Sequence, residues 1–294
     1  MILRPMRDTA EDLEAVRLIA TAAFESLRAS LGEPPDPEPA PESIAREVAL
    51  NRHFVRTDPG GCWLAFDEEG EPLGAALASK REGTWGLSLL VVSPAAQGKG
   101  VGRALLGRAV AYGADCPRGI ISGSPDPRAA RAYRGAGFTL HPAMRFKGTL
   151  DPAGLAAPDG PVLVGGPEHR ELMDGVDRLK RGGAHGPDHD ELLRRAGLLV
   201  ADDEAGSGYC YFDRADGKVL TVVATTEQVG ARLLTSALLR LDAGTTVTVA
   251  NVTAEQEWAV DVLFAARLEV TAGAYVCLRG MRPPTAFVPS GMFL

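Results

Sequence analysis

Residues 97–103 read Gln97-Gly98-Lys99-Gly100-Val101-Gly102-Arg103, and a helical pattern of apolar positions starts at Val101. The glycines let the backbone approach an anion with no side chain in the way. Lys99 and Arg103 bring cations to the same place. A helix that begins here offers unpaired N–H groups and the positive end of its dipole. Residue types in this order hold phosphate or pyrophosphate. Spacing excludes two nucleotide loops. A Walker loop needs Ser or Thr after its lysine, and Gly100 follows Lys99. A dinucleotide fingerprint needs glycine at its sixth position, which is Arg103 counted from Gly98 and Leu105 counted from Gly100.

A loop of this kind must be held by the strand before it and the helix after it. TWGLSLLVV (84–92) is apolar enough for a central strand, and Val101, Leu105, Ala109 and Tyr112 recur at helical spacing. Around them the pattern predicts a strand at 2–4 and a helix capped by Thr9 with Leu13, Val16, Ile19 and Ala20 on its apolar side. Five prolines in 33–43 make that stretch a loop. A helix is expected over 44–53, and two strands around an acidic turn within 62–79. A strand at 119–124, a helix over 127–134 ended by Gly137, and two short strands within 138–148 follow.

Residues 150–161 have the composition of a linker. Beyond them the order repeats. VLV (162–164) stands for the first strand, 168–179 for the first helix, and 198–226 for three strands. VGARLLTSALLRL (229–241) matches VGRALLGRAVAYG (101–113), TVTVANV (246–252) stands for GIISGS (119–124), and YVCLRG (275–280) for the close of the first copy. Agreement of several elements in one order points to an internal duplication.

Gln97 to Gly102, placed between a strand and a helix and followed by Arg131-Ala132-Tyr133-Arg134-Gly135-Ala136-Gly137-Phe138, resembles the GNAT superfamily of acyl-CoA-dependent N-acyltransferases. The likeness covers about residues 1–148. Beyond that it rests on the repeat and on a looser similarity to proteins with two fused GNAT units. The resemblance implies a mixed α/β fold of two tandem GNAT-like domains, each a mostly antiparallel sheet flanked by helices. Residues 1–149 would form the acetyl-CoA-binding catalytic domain, 150–161 the linker and 162–294 a degenerate copy. Gln97, Gly98, Lys99, Gly100, Val101, Gly102 and Arg103 would hold the cofactor's phosphates. The backbone of Leu90, Val91 and Val92 would meet its pantetheine arm and polarise the thioester. Tyr133 falls where the family places its general acid, and a phenol stays protonated at neutral pH. Asp126 stands where many relatives have Asn, and an ionised Asp cannot donate as Asn does.

A general base is harder to find. The strand 84–92 has no carboxylate. Ser88 can position a water; Glu82 and the cluster Asp67-Glu68-Glu69 are near only in sequence. The apolar tail, 284–294, is expected to dock as a final strand; in the alternative, the carboxylate of Leu294, held in an apolar pocket across the groove, would be a stronger base than a solvated one. At the loop position the second copy reads Thr225-Thr226-Glu227-Gln228-Val229-Gly230, which places a side chain and a negative charge where phosphate would sit. Leu263 or Phe264 takes the place of Tyr133. Two function classes follow: an N-acetyltransferase acting on an amine of a small molecule or peptide, or an acyl-CoA-binding regulatory protein without turnover.

His185 and His189 lie four apart beside Asp188 and Asp190. Gly186 and Pro187 bar the continuous helix that would set such a pair as zinc ligands, and a third ligand is wanting nearby. No metal is expected; Asp188 is placed as a helix cap and His185 as a wall of the substrate pocket. A net charge of −7 argues against nucleic-acid binding and suits a cationic acceptor. Four cysteines with no C-x-x-C spacing are expected as buried thiols. No apolar run reaches the roughly 20 residues of a membrane span, and MILRPMRD is no secretory signal, so a cytoplasmic monomer or homodimer with no membrane partner is expected.

Overall fold

Thr9 starts the first helix by accepting the N–H of Asp12 on its hydroxyl, 3.3 Å away, which satisfies one of the donors a helix start leaves open. The computed structural model describes residues 1–35 and 37–294; residue 36 of the proline-rich loop expected at 33–43 lies outside the described residues. The chain forms two compact units, residues 1–80 with 85–116 and residues 81–84 with 117–294.

The first unit contains β1 (Ile2–Pro5), α1 (Ala10–Ser30), α2 (Pro41–Thr57), β2 (Cys62–Phe66), β3 (Pro72–Arg81), β4 (Thr84–Val92) and α3 (Val101–Tyr112), with strand order β1-β2-β3-β4. Leu13, Val16, Ile19 and Ala23 form the buried stripe of α1. The Asp12 carboxylate takes both nitrogens of Arg4, at 2.6 and 2.7 Å. Burial alone would raise this carboxyl; the Arg4 and Arg7 contacts outweigh it and hold it well below the usual range. α2 starts three residues before the expected 44, because Pro41 fits the first turn, where its missing N–H needs no partner. α3 lies close on the sheet over Gly74, where a Cβ would stand 2.9 Å from Leu105 and 2.8 Å from the Val91 carbonyl.

The second unit contains β5 (Arg118–Gly123), α4 (Pro127–Gly135), β6 (Thr139–Thr149), β7 (Leu163–Val164), α5 (Arg170–Lys180), α6 (Asp188–Arg195), β8 (Gly197–Asp203), β9 (Gly206–Asp213), β10 (Lys218–Ala224), α7 (Glu227–Leu238), β11 (Thr246–Thr253), α8 (Glu257–Ala265), β12 (Glu269–Arg279) and β13 (Phe287–Val288). From β1 to β6 and from β7 to β12 the chain runs through the same order: strand, two helices, three strands, helix, strand, helix, strand.

The sheet of the second unit runs β5-β12-β6-β11-β10-β9-β8-β7. One expectation is corrected here. Residues 139–149 form one continuous strand, not two short ones. A hairpin would pair this segment with itself. Instead β12 pairs along one edge, from Lys147↔Glu269 to Thr139↔Leu278, and β11 along the other, from Thr149↔Thr246 to Ala143↔Thr253. The last strand of the first repeat thus lies on β11 of the second, while the last strand of the second lies on β5 of the first. The two repeats exchange their closing strands. β12 starts at Glu269, earlier than the expected 275, because β6 supplies a partner for its first half.

The core of this unit gathers around α7, whose Leu233, Leu234 and Leu238 pack with Phe146, Phe212 and Val249. Fully burying each such side chain contributes about 1.5–3 kcal/mol. All four cysteines are buried free thiols. No helix among the described residues is long and apolar enough to cross a membrane.

Candidate functional site

β4 ends at Val92, and a short 3₁₀ turn (Pro94–Ala96) leads to the glycine loop. Gln97 closes the turn by donating its side-chain amide to the Val92 carbonyl at 3.1 Å. Gly98 and Gly100 have φ of +76° and +87°, a region open to glycine and costly for other residues. A Cβ on either would find nothing within 4 Å. Gly100 is the N-cap of α3 and makes no side-chain capping bond. The first helical bond in α3 runs from Ala104 N to Gly100 O, so the N–H groups of Val101, Gly102 and Arg103 have no acceptor among the described residues. Lys99 and Arg103 are exposed, and the first turn carries no acid. This is an open concave backbone with positive ends, suited to an anion.

On β4, Val91 is buried and Ser88, Leu90 and Val92 are half-buried. The Ser88 hydroxyl is buried with no hydrogen-bond partner, an unusual state for a hydroxyl shielded from water. Two of the upstream acids are otherwise engaged. Arg178 and the Ala184 N–H hold Glu82 down at about 2, too weak a base for neutral pH. Asp67 accepts the Glu71 N–H at 2.7 Å and closes its turn.

Tyr133 lies in the second unit, on α4. It is buried, and its ring stands 3.2 Å from where a Cβ on Gly123 of β5 would be. Its hydroxyl makes no hydrogen bond among the described residues. Burial, with smaller contributions from Cys277 and Asp126, pushes the phenol well above its ordinary value, so it stays protonated. Asp126 is the N-cap of α4, accepting Arg128 N at 2.8 Å and pairing with the Arg128 guanidinium. Counted along α8, the place of Tyr133 belongs to Leu263, which is fully buried; Phe264 points out at 50 % exposure.

His185 is 1 % exposed, with Nδ1 2.7 Å from Asp177. Two placements from sequence change. Asp188 is the first helical residue of α6 and not its cap; its carboxylate forms a buried two-point pair with Arg81, at 2.6 and 2.9 Å. The tail docks, with Phe293 and Leu294 fully buried, but the pocket of the Leu294 carboxylate is not apolar. Arg181, itself 1 % exposed, donates to it. An adjacent cation favours the ionised form and opposes the gain in basicity that an apolar pocket would bring.

Residues 21–138 match the acetyltransferase (GNAT) family. No curated protein matches the chain at significance. Solved structures share the fold over nearly its whole length. One is a candidate acetyltransferase from Pyrococcus horikoshii, at 18 % identity and TM-score 0.73, covering 100 % of this chain and 95 % of that one. A GCN5-related N-acetyltransferase from Sphaerobacter thermophilus aligns at 15 % identity and TM-score 0.58 over 96 % of each chain. A tandem GNAT protein from the clavulanic acid biosynthesis pathway, solved without acetyl-CoA, aligns at 14 % identity and TM-score 0.57 over 96 % of this chain and 99 % of its own. The fold is thus two tandem GNAT-like domains, each a mostly antiparallel sheet flanked by helices.

The second GNAT-like repeat treats the same junction differently. Thr226 caps α7 with its own hydroxyl, which accepts Val229 N at 3.3 Å. β10 and β11 are parallel and pair only at Lys218↔Thr248 and Val219↔Val249. Beyond that point β13 pairs with β10 at Val222↔Val288 and Val223↔Phe287. Asn251 of β11 donates to Pro289 O, and Trp258 of α8 to Thr285 O. The tail was expected to dock as a final strand, and Phe287–Val288 do form one; its place along β10, beside the point where β10 leaves β11, had no signal in the sequence. A small apolar dimple beside this insert, lined by Ile120, Val276, Leu278, Met281 and Phe287, contains no candidate catalytic or cofactor residue.

Proposed function

We propose that the chain is an N-acetyltransferase that takes its acetyl group from acetyl-CoA and delivers it to a primary amine of a small molecule or peptide. The observation that carries this reading is the start of α3: three free N–H groups, two left-handed glycines with open space around them, and two exposed cations. The donors fit a pyrophosphate, and nothing in the loop fills the space it would need. Acetyl-CoA would supply the activated thioester carbonyl. Leu90, Val91 and Val92 would align the extended arm of the cofactor along β4. The unpartnered Ser88 hydroxyl would hold the amine or a water on that strand. Tyr133 holds the proton that a departing thiolate requires, and its raised pKa keeps that proton in place until then. With Glu82 held low and no carboxylate on β4, a water takes the amine proton. Residues 1–149 would carry the catalytic loop, 150–161 the linker, and 162–294 a degenerate copy.

The missing carboxylate on β4 also favours a second reading, an acyl-CoA-binding regulatory protein without turnover. One pair of measurements separates the possibilities. Calorimetry with acetyl-CoA should show binding by the native chain and at least a ~100-fold loss in Gly100→Val, because a β-branched side chain cannot hold φ near +87° without strain. Full affinity in the folded variant would defeat the loop assignment. A panel of amines should then show turnover; tight binding with no turnover on any amine would favour the regulator.

A further inference from the structure

The second unit buries a cluster for which acetyl transfer has no use. Asp177 on α5, His185 in the turn that follows and His189 in the first turn of α6 are 0 %, 1 % and 0 % exposed. Asp177 Oδ2, His185 Nδ1 and His189 Nε2 lie within 4.8 Å of one another. Oδ2 is 2.7 Å from His185 Nδ1 and 3.2 Å from His189 Nε2, and it accepts the His185 backbone N–H at 2.9 Å. Two imidazole nitrogens and an amide thus crowd one carboxylate oxygen, which has lone pairs for about two donors. A fourth group stands by. Asp174, one turn earlier on α5, places Oδ1 3.6 Å from His189 Nε2, and that oxygen is buried without a hydrogen-bond partner.

Charge points the same way. The permanent ions packed here are Arg81 with Asp188, and Arg181 with the Leu294 carboxylate. The Asp177 carboxylate is met directly by the two imidazoles, the His185 N–H and the Tyr209 hydroxyl, and no cation donates a hydrogen bond to it among the described residues, although the Arg181 charge is felt nearby. A carboxylate isolated from water is costly unless a cation meets it.

We propose that Asp177, His185 and His189, with Asp174 as fourth ligand, bind a structural divalent ion of the zinc type. Two imidazoles and two carboxylates suit such an ion. Tetrahedral bonds of about 2.0–2.2 Å set ligand atoms roughly 3.4 Å apart. The 3.2 Å contact already meets that spacing, and a turn of the Asp177 carboxylate opens the 2.7 Å one. The neighbours orient each ligand. His189 Nδ1 meets the Tyr211 hydroxyl at 3.1 Å, which directs Nε2 inward. Tyr209 donates to Asp177 Oδ1 at 2.5 Å and leaves Oδ2 for the ion. Partners of this kind fix the tautomer and direction of metal ligands. With the ion bound, each neutral ring would carry its one proton on the nitrogen turned away from the ion. The ion would tie α5 and α6 to β9. With three of its four ligands fully buried and all four positions filled by the protein, its role is structural; Asp174, 18 % exposed, marks the way in.

The test uses the full-length chain without a histidine tag, stripped with a chelator. Titration with Zn²⁺ should show one ion per chain and raise Tm by roughly 5–10 °C at an ion concentration about 100 times Kd. Co²⁺ should give the intense visible absorption of a four-coordinate site, and His189→Gln should remove that band. Asp174→Asn, at a partly exposed position, should fold normally and lose at least the roughly tenfold in affinity that disturbing a metal ligand costs. If the stripped native chain takes up neither ion and its Tm does not move, the metal site is overturned and the cluster is a shared-proton network. None of these readouts depends on acetyl-CoA or turnover.

Discussion

The approaches to α3 and α7 hold the same place in the repeated order of elements, yet they leave opposite surfaces. At α3, glycines at 98 and 100 bend the chain through left-handed conformations, and the N–H groups of residues 101–103 have no acceptor among the described residues. At α7, Thr226 satisfies the helix with its own hydroxyl, and Glu227 follows in the first turn. On the proposed reading, one helix start would take an external anion; the other has provided an acceptor of its own. The contrast extends to the strands. In the second repeat, β13 hydrogen-bonds along β10 just where that strand parts from β11. An extended ligand would have to displace covalently attached chain. If the α3 loop binds as proposed, one duplicated framework keeps a binding junction in one copy and turns it into packing in the other, with a few side chains and one returning segment.

The sharpest way to break this comparison is to release the tail. Deleting residues 292–294 leaves the Arg181 guanidinium buried without its carboxylate. The expected loss of stability is about 3–5 kcal/mol from the stranded charge alone, read by urea unfolding. A change below 1 kcal/mol would mean that the tail is not an integral part of the second repeat. Acetyl-CoA affinity, assigned to the α3 loop, should survive in whatever fraction remains folded.

A smaller effect is expected at the Tyr133 and Leu263 positions, where the copies differ by one hydroxyl-bearing ring. Tyr133→Phe should lower kcat by ~100-fold with unchanged Kd for acetyl-CoA and unchanged stability, since the hydroxyl makes no hydrogen bond among the described residues. An unaltered kcat would reduce Tyr133 to a packing residue, like Leu263. The smallest effect belongs to the cap. Thr226→Ala should cost about 1 kcal/mol of stability and leave acetyl-CoA binding untouched. If the variant instead gained a second acetyl-CoA site in calorimetry, the contrast between the two helix starts would rest on Thr226 alone.

Much of this molecule was legible in its sequence, for a physical reason: the legible parts are local. The glycine loop declares itself because positive φ and close backbone approach demand glycine at 98 and 100. Thr9, Pro127 and Gly137 mark helix limits by chemistry confined to one turn. The repeat was visible because apolar periodicity survives when identity has faded. What tertiary structure alone decided involves partners far apart in the chain. Nothing near residue 140 tells that β6 pairs with β11 and β12 and not with itself, since strand pairing is set by which edges meet. The tail's carboxylate was expected in apolar surroundings, and Arg181, more than a hundred residues earlier, changed its electrostatics. The sequence did not join Asp177 to His185 and His189, because it meets them from α5, across a turn whose path only the folded backbone defines.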